Sequence, residues 1–579
     1  MNGFFGTYGD VHWQWELPEK RERQEVRSAI IGRVNLTQFT LPKFAGDKVW
    51  FEREGVFFAA EGVILNLDEL RAQYDADDNE SLFFRLYNQS GDTFFSLFRG
   101  SFCGVVCDTA REICLVYNDQ TGSRPLFWGD CCGLFWASDL HVLKRALTEH
   151  GVEADRDFAA AMLSFGYSPL CGSPLKGVRR LGAGECLKIE KGKAETLKYH
   201  RFSHTQIDIS EIEAVKRTDL LFRAAVERIL RKNKEYNLEN IMPLSAGLDS
   251  RMTVWVAAAI QREKGEETGI KNITYSQTGY FDDTVPHDIS RVLGTDMHFT
   301  ALDGGDYLKE IKAAVADTCG LVVYSGAAQV KAATDSFAHQ KIGVIATGMI
   351  GDIVLNANEP SASQPFFFGD GALSGKCLSL MPPEAVERLQ SAYPDKEIYY
   401  LYTRGFNCAN LGAPLVFQNF AESYSPFCDV DFLQFALSVP NRMRYNYRLY
   451  DKWILSCYPE AAAWLHNGEE RIGRRHLQVT IAGRTMPLRD VPKRIAMSAL
   501  KRAGITDLYA LRKGASMNPL DAWLEDNAGL REEWESFYVS NRGCLAQWHD
   551  IDNAAEKLFR HGTAAEKTQV LTLLASLTL

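Results

Sequence analysis

The sequence predicts an antiparallel α+β region followed by an α/β region built on a parallel sheet. In the first part, short alternating or apolar runs are separated by turn residues, which is typical of antiparallel sheets. Beyond residue 205, helical segments alternate with short apolar runs, the pattern of parallel strands joined by helices. We therefore predict two domains, residues 1–204 and 205–579, and the second is expected to end in a helical part.

Composition indicates a globular protein, with 46% hydrophobic and 24% charged residues among 579. The net charge of -10 argues against broad electrostatic binding of nucleic acid. Residues 1–6 lack the basic start and apolar core of a signal peptide, and no apolar run is long enough to span a membrane, so we expect a cytoplasmic protein. The thirteen cysteines show no C-x-x-C spacing, so we predict buried thiols and no structural metal.

Each predicted strand is a short run bounded by turn residues. In the first region the predicted strands are residues 55–60, 100–107, 113–117, 126–129, 133–137 and 185–189. In the second region they are residues 240–244, 273–277, 297–301 and 344–347, with predicted helices at 209–232 and 250–264. Parallel strands place ligands at their carboxyl ends, so functional residues are expected just after each strand of the second region.

A turn of small residues joins the strand predicted at 240–244 to the next helix. It consists of Leu244, Ser245, Ala246, Gly247, Leu248, Asp249 and Ser250. Gly247 and Ala246 let the backbone approach an anion, and N–H groups at the helix start point toward it. Ser245 and Ser250 supply hydroxyl donors, while Asp249 can ligate a divalent cation that bridges phosphates. The turn predicts a pyrophosphate site, although an ordinary glycine turn capped by Asp249 would explain the same residues.

This turn resembles the PP-loop of ATP pyrophosphatases, whose usual form is Ser-Gly-Gly-Leu-Asp-Ser, with Ala246 in place of the first glycine. The resemblance implies ATP and Mg²⁺ as cofactors, with the nucleotide bound by residues 244–250 and the metal by Asp249. It also implies the fold of an ATP pyrophosphatase for residues 205–579. The segment 274–283 is then expected to pass near the adenine or ribose.

A second candidate segment follows the apolar strand predicted at 344–347. The turn runs from Gly348 to Asp352, so Asp352 is expected at a strand end beside Asp249. Two carboxylates placed there can share one Mg²⁺. By itself this turn is an ordinary strand ending, and it gains weight from its position after the first turn.

The order of these segments is similar to that of the asparagine synthetase family, in which a PP-loop precedes Ser-Gly-Glu-Gly-Ser-Asp-Glu. Thr347, Gly348, Gly351 and Asp352 match or nearly match that segment, which implies a nucleotide contact at Gly348. Met349 stands where asparagine synthetases carry a glutamate and β-lactam synthetases a tyrosine, both linked to handling of the incoming amine. The departure at Met349 argues against the ordinary asparagine reaction.

Two further segments match the family in order. Residues 424–429 resemble its Arg-Val-Pro-Phe-Leu-Asp segment, and residues 450–455 resemble its Lys-x-Ile-Leu segment. The second match implies that Lys452 is the catalytic lysine, whose ammonium would stabilise charge on the adenylate and the transition state. Without the motif order, Lys452 would be an ordinary solvated helix residue.

The first region is similar to class II glutamine amidotransferases, which have an Ntn-hydrolase-like antiparallel sandwich. The matching segments are residues 1–6, 60–66, 97–102, 118–127 and 137–139. Those enzymes hydrolyse glutamine with an N-terminal cysteine, whereas Asn2 occupies that position here and Glu61 replaces an asparagine expected to help hold the oxyanion. An amide is no nucleophile and a carboxylate repels an oxyanion. We therefore expect an inactive glutaminase domain that serves as a scaffold.

The resemblance implies an AMP-forming carbon–nitrogen ligase. It would adenylate a small-molecule or peptide carboxylate and transfer the acyl group to ammonia or an amine, and it would be compatible with a homodimer. Two alternatives stay open. The first is an intramolecular lactam or macrolactam synthetase, as in β-lactam synthetases and lasso-peptide cyclases. The second is a catalytically silent regulatory relative, because Asn2, Ala246 and Met349 depart from active members.

Residues 471–502 form a basic stretch with nine Lys or Arg and a single acid, Asp490. Such a run favours an anionic partner, whereas a solvated helix face is the commoner origin of a charge run. The region also resembles synthetase-like proteins of surface-polysaccharide pathways, which implies a sugar carboxylate as the acyl substrate.

Overall fold

The protein was analysed as a computed structural model. It describes residues 2–9, 24–148, 150–357, 365–465 and 516–579, with short pieces at 471–473, 478–481, 484–488, 491–492 and 495–496. Most of the basic stretch 471–502 therefore lies outside the described residues.

Two six-stranded sheets form the first part of the chain. In chain order the strands are β1 (Gly3–Tyr8), β2 (Glu25–Ile31), β3 (Val34–Thr40), β4 (Trp50–Arg53), β5 (Val56–Ile64), β6 (Gly100–Asp108), β7 (Ile113–Asn118), β8 (Phe127–Gly129), β9 (Leu134–Ala137), β10 (Arg179–Arg180), β11 (Glu185–Glu190) and β12 (Lys193–Lys198). One sheet has the order β10-β8-β9-β1-β3-β2, the other β12-β11-β7-β6-β5-β4. All pairings within both sheets are antiparallel, as predicted.

The two sheets pack face to face and are covered by helices on their outer faces. Phe4 and Leu36 of one sheet share a core with Val105 and Leu187 of the other. The outer face of the second sheet buries Phe83 of a helix against strands β5 to β7. The helices of this part are α1 (Leu67–Gln73), α2 (Asn79–Ser90), α3 (Leu140–Thr148) and α4 (Arg156–Phe165). The first part is thus a four-layered α+β sandwich.

Short parallel strands form the centre of the second part. They are β13 (Asn240–Pro243), β14 (Ile270–Ser276), β15 (Asp296–Ala301), β16 (Val344–Ala346) and β17 (Glu422–Tyr424). β13, β14 and β15 pair in that order, and β16 pairs with β17, in each case parallel. The Asn233 side chain links the two groups, because it bonds to both Val344 backbone groups and to Asn240. The parallel arrangement predicted for this region is confirmed.

Helices surround these strands. They are α5 (Glu211–Glu235), α6 (Leu248–Glu263), α7 (Phe281–Leu293), α8 (Ile311–Asp317), α9 (Tyr324–Thr334), α10 (Gly351–Leu355), α11 (Pro383–Ser391), α12 (Lys396–Tyr400), α13 (Ala413–Phe417), α14 (Val430–Ser438), α15 (Asn441–Arg444) and α16 (Arg448–Cys457). A hairpin of β18 (Gln478–Ile481) and β19 (Arg484–Pro487) follows, and the chain ends in helices Leu520–Asp526, Ala528–Asn541, His549–His561 and Ala564–Thr578. None of the described helices is both long and apolar enough to cross a bilayer.

The last helix ties the two parts together. It packs in one core with α4 and α8, and the Gln569 side chain donates to the carbonyls of Met162 and Leu163 at 3.1 and 3.2 Å. A capping box at Thr563 and Glu566 starts this helix. The helical end of the second part is therefore held against helix α4 of the sandwich.

Candidate functional site

A cavity of about 430 Å³ opens at the carboxyl ends of β13, β14 and β16. Its walls include both turns that the sequence singled out, 244–250 and 347–352, and the strand end at 273–275. Phe417 and Met517 close an apolar side. The volume is within the range of small-molecule sites, roughly 300–1,000 Å³. The strand ends thus converge where a parallel sheet is expected to bind its ligand.

A larger cavity of about 670 Å³ lies beside Lys43 and His339, between the two parts of the chain. The Lys43 ammonium already donates to the carbonyls of His339, Ile342 and Phe420 at 2.6 to 2.9 Å. This lysine is therefore used to hold loops together. The smaller cavity, which is lined by Asp249, Asp352 and the start of α6, is the better candidate for chemistry.

The first turn is organised by its own side chains. The Ser245 N–H donates to Ser250 Oγ at 2.9 Å, and the Gly247 N–H donates to Ser245 Oγ at 3.2 Å. The Ala246 N–H donates to an Asp282 carboxylate oxygen at 2.7 Å. Helix α6 then begins without a side-chain cap, so the N–H groups of its first turn are the donors left for an anion.

Alanine fits at position 246 without backbone strain. Ala246 is buried and is not among the residues with positive φ. Gly247 has φ -70° and ψ 166°, which any residue can adopt. The substitution of Ala246 for the first glycine of the motif is thus sterically allowed in this turn.

Two glycines let the second turn touch the first. A Cβ atom on Gly348 would lie 2.4 Å from the Ser250 nitrogen, and one on Gly351 would lie 2.5 Å from the Asp249 carboxyl carbon. Such distances are far below van der Waals contact, so both positions require glycine for the approach that is seen. The Asp352 N–H donates to Asp249 Oδ2 at 2.9 Å across this contact.

Asp249 and Asp352 form an acidic pair on the cavity wall. Burial, and then the nearby charge of Asp352, raise the pKa of Asp249 to about 8. Burial also raises the pKa of Asp352, which the charge of Arg404 opposes. The Tyr450 hydroxyl donates to Asp249 Oδ1 at 2.9 Å and fixes the carboxylate. Both pKa shifts show that burial disfavours the ionised form of the two carboxyl groups.

These residues fit a divalent cation. Mg²⁺ in nucleotide sites takes one or two protein carboxylates and completes its ligands with phosphate and water. Among the described residues no group of three or more His, Cys, Asp and Glu could hold a metal, so a cation here would rely on Asp249 and Asp352.

Thr347 offers a free hydroxyl to the cavity. Its Oγ1 is buried and has no hydrogen-bond partner within the described structure, while its N–H donates to the Tyr424 carbonyl at 3.0 Å. The next residue but one, Met349, also lines the cavity, and its carbonyl accepts from Ser425 Oγ at 2.9 Å. The turn is thus fixed through its backbone, and the hydroxyl is left to bind a ligand.

Arg251 connects the first turn to a distant segment. Its guanidinium is fully buried and donates to the carbonyls of Ala246, Ala461, Trp464 and Leu465 at 2.8 to 3.1 Å. The sequence predicts a helix start here but not this role, because three of the four carbonyls that Arg251 binds lie more than two hundred positions away.

Lys452 does not reach the cavity. Its ammonium forms an ion pair with Glu211 at the start of α5, and its side chain is 34% exposed. On helix α16 it lies two positions after Tyr450, which places the two side chains on nearly opposite faces. Tyr450, not Lys452, therefore contacts the acidic pair, and the catalytic role of Lys452 stays a prediction without a supporting contact.

The region around Asn2 and Glu61 is closed by buried polar groups. Asn2 is 3% exposed, and its amide donates to the Gln418 carbonyl at 3.1 Å. The fully buried Glu61 pairs with Lys48 at 3.0 Å and accepts from Gln38 at 3.0 Å. Side chains therefore fill the space beside the first strand.

The same buried region contains a charge from the second part of the chain. Glu422 forms an ion pair with Arg124 and lies 3.5 Å from Lys48. With Glu61, these residues make two cations and two anions, all at most 3% exposed. We call Lys48, Glu61, Arg124 and Glu422 the buried ion network.

Comparison with known proteins gives independent information on the chain. Residues 25–200 match the family model for a glutamine amidotransferase domain. The glutamine-hydrolyzing asparagine synthetase 2 of Oryza sativa subsp. japonica is 23% identical over 285 residues. That match covers 46% of this chain and 42% of the relative, so the chain spans less than half the length of the relative that it matches.

Two solved structures also show similarity. One is described as the allosteric regulatory enzyme of purine biosynthesis, with 13% identity over 47% of this chain and 67% of that chain, and a TM-score of 0.22. The other is a glutamine phosphoribosylpyrophosphate amidotransferase from B. subtilis complexed with ADP and GMP, with 10% identity over 54% of this chain and 80% of that chain, and a TM-score of 0.23. TM-scores of this size do not establish a shared fold.

Proposed function

We propose that this chain, a relative of the asparagine synthetase family, is an ATP-dependent amide ligase. It adenylates a substrate carboxylate with release of pyrophosphate and transfers the acyl group to ammonia or an amine with release of AMP. The observation that carries the proposal is the meeting of two separate turns in one cavity, where the Asp352 N–H donates to Asp249. A pair of acids beside a helix start suits a nucleotide bound with a divalent cation.

The residues divide the work as follows. The uncapped first turn of α6, from Leu248, supplies N–H donors for the pyrophosphate part of ATP. Asp249 and Asp352 would hold Mg²⁺, which supplies charge neutralisation to the phosphates. Tyr450 keeps Asp249 oriented, and Thr347 donates its free hydroxyl to a ligand oxygen.

The proposed reaction then proceeds through two nucleophilic displacement steps. A carboxylate oxygen of the substrate attacks the α-phosphorus, the bond to the bridging oxygen of the β-phosphate breaks, and pyrophosphate leaves. A nitrogen nucleophile next attacks the activated carbonyl carbon, loses a proton, and AMP leaves with the bonding electrons. Preorganised donors around the cavity lower both barriers because they face the charge that develops. Met349 has no acid–base group, so the proton goes to the substrate amine, to solvent or to another residue.

We infer that the first part has no glutaminase activity and acts as a scaffold. Asn2 lacks a nucleophilic thiol, and Lys48, Glu61 and Arg124 fill the space where a substrate would need room. The nitrogen donor is then free ammonia or an amine. We retain the division into residues 1–204 and 205–579 as part of this proposal, together with a cytoplasmic location.

The test is product analysis. Purified protein is incubated with ATP, Mg²⁺ and a panel of sugar acids, amino acids, short peptides and apolar acids, with and without ammonium. We expect AMP and pyrophosphate, rather than ADP and phosphate, with at least one acid. Asp249→Asn and Asp352→Asn should lower the rate by about 100-fold or more, since each removes a cation ligand.

The same assay separates the alternatives. Release of AMP without any added amine identifies an intramolecular ligase, whose substrate carries both groups. ATP binding without turnover, unchanged by Asp249→Asn or Asp352→Asn, would identify a silent relative and refute the proposed reaction.

A further inference from the structure

The buried ion network is connected to the candidate site through strand β17. Glu422 starts β17, which pairs in parallel with β16, so that Val344 lies opposite Glu422 and Ala346 opposite Tyr424. The turn that carries Asp352 continues from β16. Whatever fixes β17 therefore also fixes the base of that turn.

The contacts form an unbroken path from the sandwich to the acidic pair. Arg124 holds Glu422 at one end of β17. At the other end, the Tyr424 carbonyl accepts from the Thr347 N–H at 3.0 Å, and Ser425 Oγ donates to the Met349 carbonyl. The turn then ends at Asp352.

Two further bonds anchor the chain just before β17 to the same sandwich. Gln418 Nε2 donates to the Ser123 carbonyl at 3.1 Å, and the Gln418 carbonyl accepts from the Asn2 amide. Ser123 neighbours Arg124 on the chain. The sandwich therefore grips the segment 418–422 at two points, one through neutral hydrogen bonds and one through charge.

We propose that Arg124 and Glu422, supported by Lys48, are positioning residues. They fix the position of the Thr347–Asp352 turn and thereby the distance between Asp352 and Asp249. This inference rests on the proposed function, because it assigns the inactive first domain a task in the nucleotide site of the second. Burial of a paired charge adds little net stability. The network is better explained by the fixed geometry that buried charge pairs enforce.

The energetics dictate how the network must be tested. Removal of one partner leaves an unpaired buried charge, which strongly destabilises the fold. Such a variant would not report on the position of the turn. The double variant Arg124→Met/Glu422→Met removes one cation and one anion and leaves Lys48 paired with Glu61 at 3.0 Å. It removes the ion pair that holds the start of β17 and leaves the net charge of the buried region unchanged.

A matched control exists in the same interface. Asp47 of the first part and Lys232 of α5 form an ion pair at 3.0 Å, with side chains 1% and 3% exposed. Among the described residues neither side chain bonds to β17, and the bonds to β16 come from Asn233, the chain neighbour of Lys232, which this control keeps. The double variant Asp47→Asn/Lys232→Met therefore removes a cross-domain pair of equal burial and leaves the side-chain bonds to β16 and β17 in place.

The first measurement is hydrogen exchange of peptides that cover residues 344–355, and it needs no turnover. We expect about 10-fold faster exchange there in Arg124→Met/Glu422→Met, with Asp47→Asn/Lys232→Met and the charge-keeping Arg124→Lys close to the unchanged protein. Equal acceleration in both double variants, or none in the first, overturns the inference. Melting curves establish that each variant is folded.

The second measurement is the affinity for Mg²⁺ in the presence of a non-hydrolysable ATP analogue, by calorimetry. We expect about 10-fold weaker Mg²⁺ binding in Arg124→Met/Glu422→Met only. Residues that orient a metal ligand without touching the metal typically have effects of this size. Faster exchange with unchanged Mg²⁺ affinity would show that the turn is not positioned for a cation and overturns the inference. Absence of catalysis in the unchanged protein would refute the proposed reaction, yet the exchange result would still decide whether the network controls the turn.

Discussion

Asp249 and Asp352 lie within reach of each other because the residues around them have no side chains in the way. Gly351 passes so close to Asp249 that a Cβ atom would overlap its carboxyl group. Gly348 does the same at the Ser250 nitrogen, which is backbone and cannot rotate aside. The acidic pair therefore depends on glycine at two positions for steric reasons, not for a special φ.

A single methyl group should disturb this contact. We expect Gly351→Ala to push the Asp249 carboxylate aside and to raise the Mg²⁺ concentration needed for half-maximal activity by about 10-fold or more. The control is Gly326→Ala, at a helical position where a Cβ atom meets nothing within 4 Å. The measurement is a Mg²⁺ titration of AMP formation. An unchanged Mg²⁺ requirement in Gly351→Ala would show that the close approach is not needed.

At the scale of elements, helix α16 presents two candidate residues on different faces. Tyr450 is buried and bonds to Asp249, whereas Lys452 pairs with Glu211 near the surface. A partly exposed ion pair adds little to stability. In the proposed site, the Tyr450 hydroxyl would orient Asp249 for the cation and so affect every step that uses it. The helix face, rather than the motif position, separates the two roles.

Paired substitutions on α16 test this division. We expect Tyr450→Phe to weaken Mg²⁺ binding by about 10-fold and Lys452→Met to leave the rate of AMP formation within about three-fold. Both variants keep the hydrophobic stem of the side chain, so neither should unfold the helix. A large loss of activity in Lys452→Met, with little effect of Tyr450→Phe, would restore the catalytic role predicted for the lysine from its motif.

The elements themselves were largely predictable. The period of apolar residues marked the strands at 240–244 and 344–347, and the parallel order brought their carboxyl ends together. The contact between Asp249 and Asp352 was expected from that order together with the position of the second turn after the first. The hydrogen bond from the Tyr450 hydroxyl to Asp249 could not be predicted, because it depends on how α16 packs within the second part of the chain. The same holds for Arg124 and Glu422, whose pairing depends on the contact between the two parts of the chain.

For the whole molecule, the sandwich and the second part of the chain meet in an interface that contains buried polar and charged groups. Asn2, Lys48 and Arg124 all contact groups from the second part or pair within the interface. The region around Asn2 and Glu61 is thus filled by buried polar and charged side chains. Restoration of a nucleophile should not restore that activity.

This expectation can be measured directly. We predict that Asn2→Cys releases no glutamate from glutamine above background, because Glu61, paired with Lys48, still stands where the resemblance implies an asparagine. The control is Asn2→Ser, which differs only in the reactive atom. Glutamate release by Asn2→Cys but not by Asn2→Ser would show that the first domain has kept a working pocket.

A half-buried histidine at the junction between the two parts, His200, predicts that the free energy of unfolding falls in acid. Burial, and then the charges of Arg99 and Lys198, lower the pKa of His200 from 6.5 to about 4. Between these values the unfolded chain binds more protons, so the stability from His200 is complete above pH 6.5 and is lost as the pH falls toward 4.

We expect His200→Gln to flatten the fall of unfolding free energy over this pH range, measured by denaturant titration. The exposed residue His561 provides the control, and His561→Gln should leave the slope unchanged. An identical pH slope in the unchanged protein and in His200→Gln would contradict the assignment.

The central claim is that this cavity activates a carboxylate with ATP, and the most direct test is isotope exchange between pyrophosphate and ATP. The account predicts exchange that requires both a carboxylic acid and Mg²⁺, proceeds without any amine, and falls by about 100-fold or more in Asp352→Asn. Exchange that is absent across the acid panel in a folded protein that still binds ATP would contradict it.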